Sequence, residues 1–207
     1  MTQTGDAQFQ ALWPTFFMSL TLPGAEAANA VLSALFLARD ENVDGLTERY
    51  LEQDVFADQH PAIGWLKQCT EQAVFDYAAR SGMDYRPDID VQGWVNINRQ
   101  GDYHNLHNHP HAWLSGTYYV AVPAQTGRTH RSDLNPNAIS FFDPRAQANM
   151  NAVKGDGQFD PEYRRLPKAG ELFLWPSFLH HLVHPNLSDE PRVSVSFNVV
   201  LRRKRLG

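Results

Sequence analysis

Residues 171–201 read ELFLWPSFLHHLVHPNLSDEPRVSVSFNVVL, and their patterning decides the fold. Glu171–Trp175 is a short apolar and aromatic run, as in a buried strand, and it stops at Pro176-Ser177, a turn signal. From Arg192 onward the chain reads R-V-S-V-S-F-N, with apolar and polar residues in strict alternation. That is the period of a strand with two different faces. Between the two strands lie His180, His181 and His184.

Strand patterns extend upstream as far as residue 90. Asp90–Asn98 alternates towards its end, Trp113–Pro123 carries T-Y-Y-V-A-V, and Ala138–Asp143 reads AISFFD. Turn-rich stretches at 123–137 and 144–167 separate them and are natural substrate lids. Short strands with turn signals between them favour a β-sandwich or jelly roll. Before residue 86 the pattern changes. Segment 24–40 has apolar residues three and four apart, and segment 61–81 repeats that spacing. The second segment opens on Pro61 and ends at Ser81-Gly82, which predicts a helix with a first-turn proline and a glycine stop. Leu12–Leu22 reads as extended and adds a strand. The expected class is α+β: one domain over 1–207, mainly helical over 1–86, with the β core over 87–203 and the helices packed outside it.

Composition narrows the function. The chain has 207 residues, 43% hydrophobic and 12% aromatic, so it is globular rather than disordered. No apolar run is long enough to span a bilayer, and the first ten residues lack a basic then apolar leader, so a cytoplasmic location is expected. The single cysteine, Cys69, excludes an intramolecular disulfide and a thiolate zinc cluster. A net charge of −5 gives no polyanion-binding character, and the basic tail Arg202–Arg205 reads as a solvated end. Neither nucleic acid nor membrane is an expected partner.

Seven of the nine histidines fall in two groups, His104, His107, His109 and His111, then His180, His181 and His184. Alternate residues of an extended chain share a side, so His107 and His109 present two imidazoles to one face. His111 has the same parity, but Pro110 intervenes and bends the chain. Two such groups on elements that fold together are what a metal site needs. Arg192 opens the last strand, and an arginine inside the mouth of a β-sandwich is costly without a partner. A ligand carboxylate supplies that partner in bidentate geometry.

Together, H-x-H at 107–109, the distal H-L-V-H-P beginning at His181, and R-V-S-V-S-F-N at 192–198 resemble the Fe(II)/2-oxoglutarate-dependent dioxygenase superfamily. The nearest branch is the 2OG-Fe(II) oxygenases of the bacterial and phage type. Its further pieces match Leu114–Val120 (L-S-G-T-Y-Y-V), Asp143–Arg145 (D-P-R) and Pro176–His181, and the likeness covers roughly 92–200. The resemblance implies a double-stranded β-helix, Fe(II) and 2-oxoglutarate as cofactors, and a hydroxylation of a small-molecule or peptide substrate. It implies His107, His109 and His181 as metal ligands, with Arg192 and Tyr119 on the distal carboxylate of 2-oxoglutarate. Tyr118 points to the opposite face of its strand. Asn96 and Asn98 share a face and are expected to line the cosubstrate pocket, as is Asn198.

One departure stands out. The usual facial triad holds two histidines and a carboxylate. Here the acidic position is His109, and His111 or Asp102 are alternative third ligands. Other readings are a cupin-like metal enzyme without 2-oxoglutarate, a three-histidine zinc hydrolase, and a non-catalytic metal- or ligand-binding module. The cupin reading lacks its glutamate, since Trp113 and Leu114 stand there, and the zinc reading lacks a nearby Glu to act as base. Asp143 reads as a turn former and Trp175 as core.

Overall fold

The computed structural model describes residues 14–40, 54–124, 134–145, 153–156 and 160–202. The tail beyond Arg202, most of the 123–137 stretch and parts of 144–167 lie outside the described residues.

Two antiparallel sheets form the core. The larger contains β1 (Met18–Thr21), β2 (Ile89–Asn98), β4 (Leu114–Ala121), β7 (Glu171–Pro176) and β9 (Arg192–Leu201), in the order β1-β7-β4-β9-β2. The smaller contains β3 (His104–His107), β5 (Ile139–Phe142), β6 (Glu162–Arg165) and β8 (His181–Val183), in the order β3-β8-β5-β6. Consecutive strands from β2 to β5 alternate between sheets, and β6 to β9 return the same way, which is the winding of a jelly roll. The strands at 162–165 and 181–183 are additions to the pattern read from sequence. Glu162–Arg165 is charged and turn-like in composition. It becomes an edge strand because it pairs in register with β5 and sets Tyr163 against Phe17 and Phe141. Residues 162–165 are therefore an edge strand of the smaller sheet.

Two helices cover the outer face of the larger sheet. α1 (Ala25–Ala38) buries Ala25, Leu32 and Phe36. α2 (Pro61–Arg80) buries Ile63, Leu66, Thr70, Ala73, Val74, Tyr77 and Ala78, a helical stripe. Pro61 stands in its first turn, and the His60 ring accepts from the Ala62 amide at 3.2 Å. Gly82, at φ 91, ends it with the Met83 amide donating to the Ala78 carbonyl at 3.0 Å. No helix among the described residues is long and apolar enough to cross a membrane.

The alternation in β9 now has a meaning. Val193, Val195, Phe197 and Val199 are all at most 1% exposed and join the cluster under the helices. Arg192, Ser194, Ser196 and Asn198 take the other parity and face the space between the sheets. β4 divides likewise: Tyr118 turns towards the helices and bonds Asn29 of α1 at 2.6 Å, while Tyr119 packs in the inner cluster. The apolar core thus lies mainly between sheet and helices, which leaves the inner face of the sheet free to be polar.

Gly116 sits in the middle of β4, between β7 and β9. A Cβ there would lie 2.6 Å from the Phe173 carbonyl oxygen and inside the Phe197 ring. The carbonyl belongs to the sheet and cannot step aside. Gly116→Ala is expected to destabilise the fold by about 2 kcal/mol or more, read as a lower denaturant midpoint; an unchanged midpoint would contradict this packing.

Candidate metal centre

Strand pairing builds the site. β3 and β8 are antiparallel neighbours, and their register sets His107 opposite His181. The chain leaves β3 after His107 and is held by the His109 amide, which donates to the Ser177 carbonyl at 3.0 Å. Ring centroids are 4.3 Å apart for His107 and His181, 5.1 Å for His107 and His109, and 5.3 Å for His109 and His181. One nitrogen from each ring lies within 4.8 Å of the others, the one such group of three among the described residues. Small side-chain rotations close that spread to the roughly 3 Å expected between ligands held about 2.1 Å from one ion.

The tautomers suit this use. His107 Nδ1 lies 2.6 Å from the Asn105 carbonyl and His181 Nδ1 lies 3.0 Å from the Leu179 carbonyl. A carbonyl only accepts, so each Nδ1 carries the proton and each Nε2 keeps its lone pair for a metal. Burial, reinforced by neighbouring rings, pushes His181 down to about 3 and His109 down to about 4. Both are neutral near pH 7, the form that binds metal. Trp175 and Phe141 pack on the His181 ring with centroids 5.0 and 5.8 Å away, and Trp94 lies 5.8 Å from His109.

Further in, Arg192 is 1% exposed. One terminal nitrogen donates to Asn98 Oδ1 at 2.9 Å and the other reaches the His184 carbonyl at 3.4 Å. Its Nε is buried with no partner, and no described carboxylate forms an ion pair with it. Burial draws its pKa down to about 10, against the opposing influence of Tyr119 and Asp102. The Tyr119 hydroxyl makes no hydrogen bond among the described residues, and burial raises its pKa well above the usual range, so it remains a donor. Exposure along the inner face runs from Gln92 and Val200, exposed, through Trp94, Ser196 and Asn198, half-buried, to Asn98 and Arg192, fully buried. The space between the sheets is a cleft, open at one end and cationic at the other.

A family model described as "Putative 2OG-Fe(II) oxygenase" matches residues 92–198, just over half of the chain. The chain belongs to this family. Among solved structures, this oxygenase is similar to a Pseudomonas putida prolyl-4-hydroxylase, at 15% identity and TM-score 0.56, over 90% of this chain and 88% of that one. A Trichoplax adhaerens prolyl hydroxylase in complex with a hypoxia inducible factor peptide gives 13% identity and TM-score 0.59, over 89% and 83%. HygX from Streptomyces hygroscopicus, with nickel and 2-oxoglutarate bound, gives 15% and 0.56, over 90% and 83%. At such identities the likeness speaks for the shared jelly-roll fold. No curated protein matches the chain. The oxygenase uses Fe(II) and 2-oxoglutarate as its family does, and its residues fit both: three imidazoles converge, and a buried guanidinium nitrogen has no hydrogen-bond partner.

Of the residues named from sequence, His107, His109 and His181 come together, and Arg192 and Tyr119 flank the deep end. Asn96 donates to Ser196 Oγ at 2.8 Å and Asn198 accepts from Ser115 Oγ at 2.7 Å, so each has one amide end engaged on the inner face. His111 stays outside the group, exposed in a turn with φ 72. His180 is exposed, and His184 meets Ser140 Oγ at 2.7 Å. The Asp102 carboxylate accepts from the Arg99 amide, and that of Asp143 pairs with Arg145, both as turn formers. His104 has no role in the sequence reading, and Asn98, expected as pocket lining, bonds Arg192 and His104. The R-V-S and N-I-N alternations carry the signal, because β2–β9 pairing puts Asn98 directly opposite Arg192.

The buried rings set a pH dependence. His104 and His109 sit at about 4 and His181 at about 3 when folded, against 6.5 when exposed. As pH falls below 6.5 the unfolded chain takes up protons that the folded one refuses, so stability present above 6.5 is lost on acidification. The metal-free protein should lose roughly 2–3 kcal/mol for each ring by pH 4. Denaturant midpoints from pH 7.5 to 4 test this, and a level profile down to pH 5 would contradict the burial of these rings.

Proposed function

We propose that His107, His109 and His181 hold Fe(II), that Arg192 and Tyr119 hold the distal carboxylate of 2-oxoglutarate, and that the enzyme hydroxylates a C–H bond of a small-molecule or peptide substrate. The observation that carries this reading is the buried Arg192, with an unpartnered Nε and no carboxylate counter-ion among the described residues, in the same cleft as three converging imidazoles.

When bound, the iron and its keto acid supply the oxidising chemistry, coupling decarboxylation of 2-oxoglutarate to oxygen insertion. The protein's part is to bind, orient and exclude water. Arg192 and the protonated Tyr119 are donors facing the dead end of the cleft, so a dicarboxylate enters with one end fixed and its keto acid end towards the histidines. Trp175, Phe141 and Phe173 wall the cleft with apolar surface, which strengthens every charged contact inside it. Three neutral imidazoles leave the +2 charge of the ion uncompensated, and the dianionic cosubstrate balances it. Asn96 and Asn198 belong to the polar floor of the cleft. The half-buried Trp94, Ser196 and Asn198 at its open end are where substrate arrives.

The structural neighbours hold different molecules: the Trichoplax prolyl hydroxylase is in complex with a peptide fragment, and HygX has hygromycin B bound. We further infer that helices and sheets form one folding unit over 1–207, since one cluster runs from Leu32 and Phe36 through Leu66 to Phe197. A cytoplasmic location agrees with the ferrous ion the site uses and with the unpaired Cys69.

Anaerobic titration of the Fe(II)-loaded protein with 2-oxoglutarate should produce the visible charge-transfer band of a chelated keto acid. Arg192→Met should keep the metal and weaken 2-oxoglutarate at least tenfold. Metal loading with no band in the wild type would overturn the proposed function. His181→Ala should lose most of its bound Fe(II), measured by metal analysis after desalting; full occupancy would sink the ligand assignment.

A further inference from the structure

Asn98 lies fully buried at the end of β2, between two side chains. A guanidinium only donates, so the atom of Asn98 facing Arg192 at 2.9 Å is its carbonyl oxygen. Its amide nitrogen then faces His104 Nε2 at 3.2 Å. An amide NH2 likewise only donates, so Nε2 is an acceptor and His104 carries its proton on Nδ1. Arg192 thus fixes a histidine tautomer two side chains away.

That Nδ1–H has no partner among the described residues. His104 stands opposite Val183 in the β3–β8 ladder, and Val183 packs in the inner cluster, so the imidazole is on the cleft side of the smaller sheet. Its ring centroid is 6.3 Å from that of His107. The ring therefore stands on the cleft side between His107 and the Asn98–Arg192 pair, with its Nδ1–H free to donate. A carboxylate offers about four lone-pair positions. Arg192 and Tyr119 use only part of them.

We propose that His104 is a cosubstrate-binding residue whose Nδ1–H donates to the distal carboxylate of 2-oxoglutarate, with Asn98 aligning it alongside Arg192. The inference rests on the reading of Arg192 as the anchor of that carboxylate. A neutral imidazole suits the position, because it adds a donor without adding a second buried positive charge beside the guanidinium.

Two substitutions separate this role from a structural one. The amide of asparagine lies about where Nδ1 of histidine lies, and that of glutamine about where Nε2 lies. His104→Gln keeps a partner for Asn98 and loses the inward donor. His104→Asn keeps the inward donor. The measurement is the Kd of 2-oxoglutarate for anaerobic Fe(II)-loaded protein, with metal content and Tm recorded for each variant. His104→Gln is expected to bind about tenfold more weakly or worse at unchanged metal content, and His104→Asn within about threefold of wild type. Wild-type affinity in His104→Gln, or equal loss in both variants, overturns the role of His104. If Arg192→Met still loses affinity in that case, the anchor reading stands and only this inference fails. If the wild type binds no 2-oxoglutarate, both fail together.

Discussion

A guanidinium that is 1% exposed and has no carboxylate partner among the described residues is the constraint around which this molecule is arranged. Burying an unpaired charge is costly, and a fold keeps one only where surrounding dipoles soften it and a ligand completes it. Asn98 and the His184 carbonyl do the softening. Each comes from a different place: Asn98 from the strand that pairs with β9, and His184 from just beyond β8 in the other sheet. The two sheets therefore meet over one positive charge.

The polar cleft follows from where the apolar side chains go. In β9 Val193, Val195, Phe197 and Val199 face the helices, so sheet–helix packing carries much of the burial. The inner face can then hold serine, threonine and asparagine, tied by Asn96 to Ser196, Thr117 to Ser196 and Ser115 to Asn198. The helices ahead of the β core are what free its interior for ligands.

Much of this was legible in the chain. The alternation of R-V-S-V-S-F-N specified a strand with two chemistries, and H-x-H brought two imidazoles together although His109 lies just past the strand, held by the Ser177 carbonyl. Pro61 and Ser81-Gly82 marked the limits of the second helix through backbone constraints alone. What escaped depended on partners distant in sequence. Glu162–Arg165 has no strand pattern of its own and is extended because β5 lies beside it. Parity alone could not separate His109 from His111. The difference is a left-handed turn at His111, which local composition does not dictate. His104 had no apparent role because its tautomer is set by Asn98, and Asn98 is set by an arginine 94 positions later.

The smaller sheet ends on β3, four residues long, bulged, and joined to its neighbour at only two register positions. Its side chains at Asn105 and Leu106 are exposed, so little packing secures it. Two of the three converging histidines come from this strand and the residues just after it, and the third from the strand it leans on. An ion held by all three would therefore stitch the free edge of the sheet to its interior. Metal loading and local order would then be one equilibrium, with the rim of the cleft assembled by the same event that arms it.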